Sequence, residues 1–196
     1  WEVAAQELLN YYRSRTGITH PDIDLKKLTI SREEQKWADD ALEHTFFVHK
    51  GYQPSYNYGK DINWEYWPVK DNELRWQLHR HKWFTPMGKA YRISGDEKYA
   101  KEWVHQYIDW VQKNPLVNMK QDEFELVSAG EVKEDADNVY FAWRQLEVSN
   151  RLQDQTCQFL LFCSASAFTP EFLTEFIVNY HRHGAHLLKN YSAEGN

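Results

Sequence analysis

Three groups of side chains have the types and spacing to do chemistry. In His79-Arg80-His81-Lys82, His79 and His81 stand roughly 200° apart around a helix and cannot chelate one ion from a regular turn. As cationic donors, His79, Arg80 and Lys82 would meet an anionic ligand; the competing reading is solvated surface charge. His181-x-His183-x-x-His186 puts His183 and His186 on one helix face with His181 pointing elsewhere, and no HExxH pattern accompanies them. A polar row along a solvated or cleft-facing helix side fits them better than a metal site, so no metal ligand is assigned. In Trp143-Arg144-Gln145-Leu146-Glu147, Glu147 can pair with Arg144 or Arg151 at helical spacing. The sharper alternative has Arg144 and Gln145 facing a carboxylate-bearing ligand.

Other constellations carry less. Cys157 and Cys163 are six apart in an apolar stretch, a helical rise of roughly 9 Å against the ~7 Å limit for bridged Cα atoms, so two buried thiols are expected. GxSxG, a glycine-rich phosphate loop and a persuasive Cys/His/Asp arrangement are all missing from the sequence. The segment from Tyr52 to Pro68 gathers six aromatic residues, Trp64 and Trp67 among them, with Pro, Gly and Asn. A loop that long and aromatic is ordered, either as part of a site or as a plug closing the end of the fold.

The elements that must hold these groups read as a succession of amphipathic helices. One spans about Glu2 to Ser14. Ser31 and Glu34 form a capping box opening a second, with Trp37, Ala41, Leu42 and Val48 inward and an end at Gly51. Asp71 caps a third that runs through Trp76 and Trp83 to Tyr91, with Pro86 as its kink or break. Asp96 caps a fourth, with Tyr99, Trp103, Tyr107 and Trp110 on one face, ending at Asn114-Pro115. Residues 115–136 read as an acidic surface excursion. A helix beginning near Asp137 carries Val139, Trp143, Leu146 and Leu152 inward. Gln155 to Phe168 is read as buried on most sides. Thr169-Pro170 opens the last helix, with Phe172, Leu173, Phe176, Ile177, Tyr180, Leu187, Leu188 and Tyr191 as its apolar set. The whole predicts an all-α array of antiparallel helix hairpins.

Composition removes several classes. The 196 residues carry 23 Lys and Arg against 29 Asp and Glu, a net charge of −6, which argues against a nucleic-acid footprint. An apolar run of about 18 residues, the length that spans a bilayer, is missing from the sequence, as is a basic-then-apolar leader at Trp1. Aromatic residues make up 16%, with nine tryptophans. Such rings build cores, and their flat faces also pack on the apolar faces of pyranoses.

Four stretches resemble the N-terminal domain of the heparinase II/III-type polysaccharide lyases, closest to the heparinase III branch: 61–67 (DINWEYW), 73–83 (ELRWQLHRHKW), 138–147 (NVYFAWRQLE) and 191–196 (YSAEGN). The resemblance implies an incomplete (α/α) toroid, of which residues 1–196 are the N-terminal part, followed in such enzymes by a β-sandwich domain. It implies β-elimination at a hexuronic acid of a glycosaminoglycan, heparan sulfate, without a cofactor. The partners it implies are the acidic polysaccharide and the remainder of the same chain. It also implies a periplasmic or secreted location. In the family, an Asn ending a Ser-x-x-Gly-Asn-His stretch neutralises the uronate carboxylate. Ser192-Ala-Glu-Gly-Asn196 matches up to the Asn, which makes Asn196 the catalytic candidate. The family's tyrosine base/acid and partner histidine match no residue up to 196, so this stretch by itself is expected to lack turnover. Glycan-cleft candidates are Trp64, Trp67, His79, Arg80, Trp143, Arg144 and Gln145. The −6 charge suits a less sulfated polymer, leaving an alginate-type uronate lyase as an alternative, beside a non-catalytic carbohydrate-binding module and an (α/α)6 glycoside hydrolase.

Overall fold

The computed structural model describes residues 1–131 and 135–190. The chain is an all-α array with one small hairpin: α1 (Glu2–Ser14), α2 (Arg32–Ala41), β1 (Thr45–Phe46), β2 (Tyr56–Asn57), α3 (Asn72–Leu78), α4 (Phe84–Ser94), α5 (Glu97–Lys113), α6 (Gln121–Ser128), α7 (Val139–Ala142), α8 (Gln145–Phe162) and α9 (Pro170–Lys189). The helix starts follow local chemistry. Ser31 and Glu34 make the reciprocal capping box on α2; Asp71, Asp96 and Thr169 accept backbone N–H groups at the starts of α3, α5 and α9. Arg13, at the end of α1, donates to the carbonyls of Cys163 (2.9 Å), Ala165 (2.8 Å) and Phe168 (2.9 Å), a cation satisfying the orphan acceptors after α8.

α4 lies at the centre, packed on α2, α5 and α8, with α9 against α8 and α1 against α9. Gly88 on α4 meets Leu161 and Phe162 of α8 so closely that a Cβ would stand 2.8 Å from the Leu161 Cβ. The core is ring-rich. Trp103 stacks on Phe162 at 4.2 Å, and Phe46 of β1 stacks on Trp83 at 4.1 Å.

Several boundaries depart from the expected ones. α2 ends at Ala41, and His44 takes a left-handed φ of 55° before β1. Thr45-Phe46-Phe47-Val48 is β-branched and aromatic, and it finds a pairing partner in Tyr56-Asn57, with Phe46 opposite Tyr56. The helix expected across 71–91 breaks at 79–83, where His81 has φ 55°, and not at Pro86. Pro86 sits in the first turn of α4, where its missing N–H costs no intrahelical bond. The 115–136 excursion contains α6, which rests on α7 and buries Val127. The helix expected from Asp137 is cut in two at Trp143-Arg144. Leu146 is exposed and Glu147 and Arg151 are buried in its place.

Candidate functional site

The break between α7 and α8 faces the end of α3, and this junction gathers the charged candidates. Glu147, in the first turn of α8, is fully buried. Its Oε1 accepts from Arg80 Nε (3.2 Å) and Nη2 (2.8 Å), and Arg144 Nη1 lies 3.8 Å from Oε2. Arg80 also lies 3.7 Å from Glu73, which accepts from Gln77 Nε2 at 2.6 Å. Arg144 places its guanidinium 4.0 Å from the ring centroid of Trp76. Two guanidiniums therefore share one sealed carboxylate, stiffened by forked hydrogen bonding and ring stacking, and with Glu73 on the outer side of Arg80 the charges of the cluster balance.

Two open grooves carry further candidates, the first of them reaching Arg80 of this cluster. One, of about 560 Å³, contains Arg80 and Lys82 together with His49, Lys50 and a platform of Trp37 stacked on Phe47 at 3.6 Å and 11°. Lys82 is paired with Asp154 at 2.8 Å there. The second, of about 660 Å³, brings Trp67, Lys70, Arg75 and Asn138 together beside Glu65, Asp135 and Asp137. Arg75 is buried against Phe141 (3.5 Å) and Trp67 (5.2 Å), and desolvation pulls its pKa down to about 10. Flat rings beside cations suit an acidic sugar, whose apolar ring faces stack while its anionic groups take charge-assisted bonds.

The seven cleft candidates separate. Arg80 and Arg144 come together on Glu147, Gln145 is half-buried beside them, and Trp67 lines the second groove. Trp64, His79 and Trp143 are corrected: all three are sealed in the core. Trp64 stacks near Phe46 and Trp83 and donates from Nε1 to Asp109 at 2.7 Å. With Tyr58 and Ile62 also buried, the aromatic loop is mainly a plug, leaving Tyr66 and Trp67 at the surface side. Trp143 donates to the Asn114 carbonyl at 2.9 Å and packs on His183 and His186. His79 accepts from Trp110 Nε1 (3.1 Å) and donates to Asn138 Oδ1 (3.3 Å). Burial and the nearby Arg151 charge pull its pKa to about 3, so it is a neutral strut and not a cationic donor. Asn196 lies outside the described residues.

His183 and His186 are buried and fully bonded, to Asn179 and Arg151 and to Trp143 and Asn190, which leaves no ring nitrogen for a metal, while His181 is exposed as read. Cys157 and Cys163 are free buried thiols, as expected. Sequence reasoning did not find Arg75 or the Trp37–Phe47 platform. Trp37 reads as one more core position, and Phe47 lay in an expected helix.

The family model described as "Heparinase II/III N-terminus" matches residues 1–196. The heparin-sulfate lyase of Bacteroides stercoris is 68% identical over 193 residues, covering 98% of this chain and 29% of that protein. The heparin-sulfate lyase of Pedobacter heparinus is 45% identical over 203 residues, covering 100% of this chain and 28% of that protein. The chain thus spans under a third of the length of these curated relatives. Among solved structures, a heparinase III with methylated lysines superposes with a TM-score of 0.88 at 73% identity, over 100% of this chain and 30% of that one. A heparan sulfate lyase from Pedobacter heparinus gives 0.82 at 44%, over 100% and 29%. The helical array therefore has the fold of the N-terminal helical toroid of these proteins.

Proposed function

This chain belongs to the heparinase II/III N-terminal family, and on that premise we propose that it forms the N-terminal toroid portion of a polysaccharide lyase that cleaves a hexuronic-acid glycosaminoglycan of the heparan sulfate class by β-elimination. The observation that carries the reading is the family match through all 196 residues. Inside the chain, Lys50, Arg80 and Lys82 gathered on the groove of the Trp37–Phe47 platform support it, because a net-acidic protein needs local cations to hold a polyanion.

The chemistry demands charge neutralisation. A uronate C5 proton lies α to a carboxylate and is hardly acidic while that carboxylate keeps its full charge. A hydrogen-bond donor on the carboxylate stabilises the charge that grows as the proton leaves, so it favours the transition state over the ground state. In our reading the Asn196 amide is that donor, and Arg80, Arg144, Gln145 and Trp67 hold the flanking sugars. Trp64, His79 and Trp143 act one step back, as struts under those residues. The substrate class places the working protein in the periplasm or outside the cell.

The test is kinetic. In the intact lyase, Asn196→Ala is expected to lower kcat by about 100-fold or more while KM moves less than about threefold, read as unsaturated-uronate absorbance with heparan sulfate. A rise in KM at constant kcat would remove the neutraliser role. Turnover of unsulfated polyuronate in preference to heparan sulfate would move the substrate to the alginate class.

A further inference from the structure

His44, Glu102 and His105 form a second group, sharing no residue with the arginine cluster. Glu102 and His105 are three apart on α5, and His44 reaches them from the left-handed turn between α2 and β1. One ligand atom from each lies within 4.8 Å of the others.

The histidine bonding singles this group out. Among the described residues, five histidines have partners at both ring nitrogens: His20, His44, His79, His183 and His186. Four of them can be neutral, because one nitrogen meets a donor and the other an acceptor. His20 accepts from the Asp22 N–H, His79 from Trp110, His183 from Arg151 and His186 from Asn190. His44 instead meets an acceptor on each side: the Gly59 carbonyl at 2.7 Å from Nδ1 and Glu102 Oε1 at 3.0 Å from Nε2. With the one proton of a neutral ring on Nδ1, the Nε2 lone pair points at a carboxylate. A neutral ring can donate to only one of its two acceptors, and either a second proton or a metal ion bound at Nε2 and Glu102 relieves the lone-pair contact that remains.

We propose that His44 Nε2, a Glu102 carboxylate oxygen and a His105 ring nitrogen form a binding site for a borderline divalent cation of the zinc class. The ligand set is the His-His-carboxylate type such ions take, and hard calcium or magnesium would ask for more oxygens. The supporting contacts are in place. The Gly59 carbonyl fixes the His44 tautomer and ring plane, as second-layer acceptors do for zinc-bound imidazoles. Gln106, fully buried, donates to Glu102 Oε1 at 2.9 Å and to the Ala41 carbonyl at 2.8 Å, and is itself held by Trp83 Nε1 at 2.9 Å, so the carboxylate is braced. His105 is exposed and its ring lies parallel to His44 at 5.9 Å, which leaves it free to rotate inward. Tetrahedral zinc holds its ligand atoms about 3.3 Å apart, so the 3.0 Å contact of His44 Nε2 with Glu102 opens slightly while the His105 nitrogen, within 4.8 Å, closes in. The exposed side leaves a fourth position for water. Because Gly59 belongs to the aromatic loop, occupancy ties that loop to α5. Sequence spacing does not reveal this group, since His44 and Glu102 are 58 residues apart.

The experiment is a zinc chloride titration of the chelator-stripped protein by calorimetry, with metal content after dialysis and the unfolding temperature as parallel readouts. One equivalent is expected at micromolar or tighter Kd, with a raised unfolding temperature. His105→Ala, a surface change, and Glu102→Gln each weaken it at least about tenfold, and His20→Ala leaves it unchanged. The proposal is overturned by no stoichiometric uptake at 100-fold excess over micromolar zinc, by uptake unaffected by His105→Ala, or by equal competition from calcium. Ring ¹⁵N shifts give a further readout: a His44 protonated on both nitrogens with zinc present assigns the position to a proton and rejects the metal.

Discussion

Arg151 donates from Nε to Nε2 of His183 at 2.9 Å, a charged guanidinium bonded to an imidazole in the dry centre of the fold. His183 Nδ1 donates to the Asn179 carbonyl at 2.6 Å, so its Nε2 is the acceptor and the ring is neutral. Arg151 Nη1 donates to the His79 carbonyl at 2.9 Å, and the guanidinium lies 4.5 Å from the Trp110 ring centroid. Burial lowers its pKa to about 9, still charged at neutral pH. One side chain thus joins α8, α9 and the 79–83 break that carries Arg80. Arg151→Met strips the donors from two buried acceptors and is expected to cost about 2–4 kcal/mol of stability in chemical denaturation. Arg151→Lys should not rescue it, because an ammonium lacks the planar fork that reaches both.

Acid should unfold the protein through its buried histidines. His79 is held at a pKa of about 3, and burial with the Arg151 charge pulls His81 and His183 well below the ordinary value. The unfolded chain protonates these rings near pH 6.5 and the folded one does not. Stability is therefore complete above about pH 6.5 and falls as pH drops, by about 1.4 kcal/mol per unit for each ring. Calorimetry at pH 5.5 in buffers of different ionisation enthalpy should find about three protons taken up by these rings on unfolding. Uptake of less than one would mean that they are solvated.

Gly88→Ala tests the closest helix approach. Alanine favours a helix by about 1 kcal/mol over glycine, so an open site would be stabilised. Here the new Cβ meets Leu161 Cδ1 at 2.7 Å and Cβ at 2.8 Å. The Cβ clash involves atoms near the α8 backbone that cannot swing away, and overpacking of that kind costs about 1–3 kcal/mol. A net loss of stability is expected, read as a lowered denaturation midpoint at unchanged slope.

What sequence reading could and could not reach follows from distance along the chain. The caps at Ser31, Asp71, Asp96 and Thr169 were legible because the side chain and the N–H it satisfies are two or three residues apart. The end of α2 was not, since its cause is a strand partner at Tyr56-Asn57. α9 is the clearest reversal. Ile177, Tyr180 and Leu188 fit an apolar stripe yet are exposed, while Asn179, His183 and His186 are buried. Hydropathy misplaces the two histidines because their ring nitrogens are satisfied by Arg151 and the Trp143 carbonyl, 32 and 43 residues away. The site shows the same limit. The charge of Arg80 is visible in the sequence, but its position depends on Glu147, 67 residues on.

The groove reading makes its own demand on Trp37 and Lys50. Trp37 is half-buried with one face on Phe47, and Lys50 is exposed on the same groove. Neither holds the core, so substitutions there should separate glycan affinity from folding. Trp37→Ala is expected to weaken binding of a heparan sulfate oligosaccharide about tenfold, the scale of one lost ring contact, with a smaller effect on stability. Lys50→Gln should weaken it at low salt and much less at high salt, because an exposed charge acts through a screened field. Isothermal titration at two ionic strengths reads both. Should Trp37→Ala leave affinity intact while Lys50→Gln reduces it, the groove would be a purely electrostatic surface and the stacking platform would play no part in recognition.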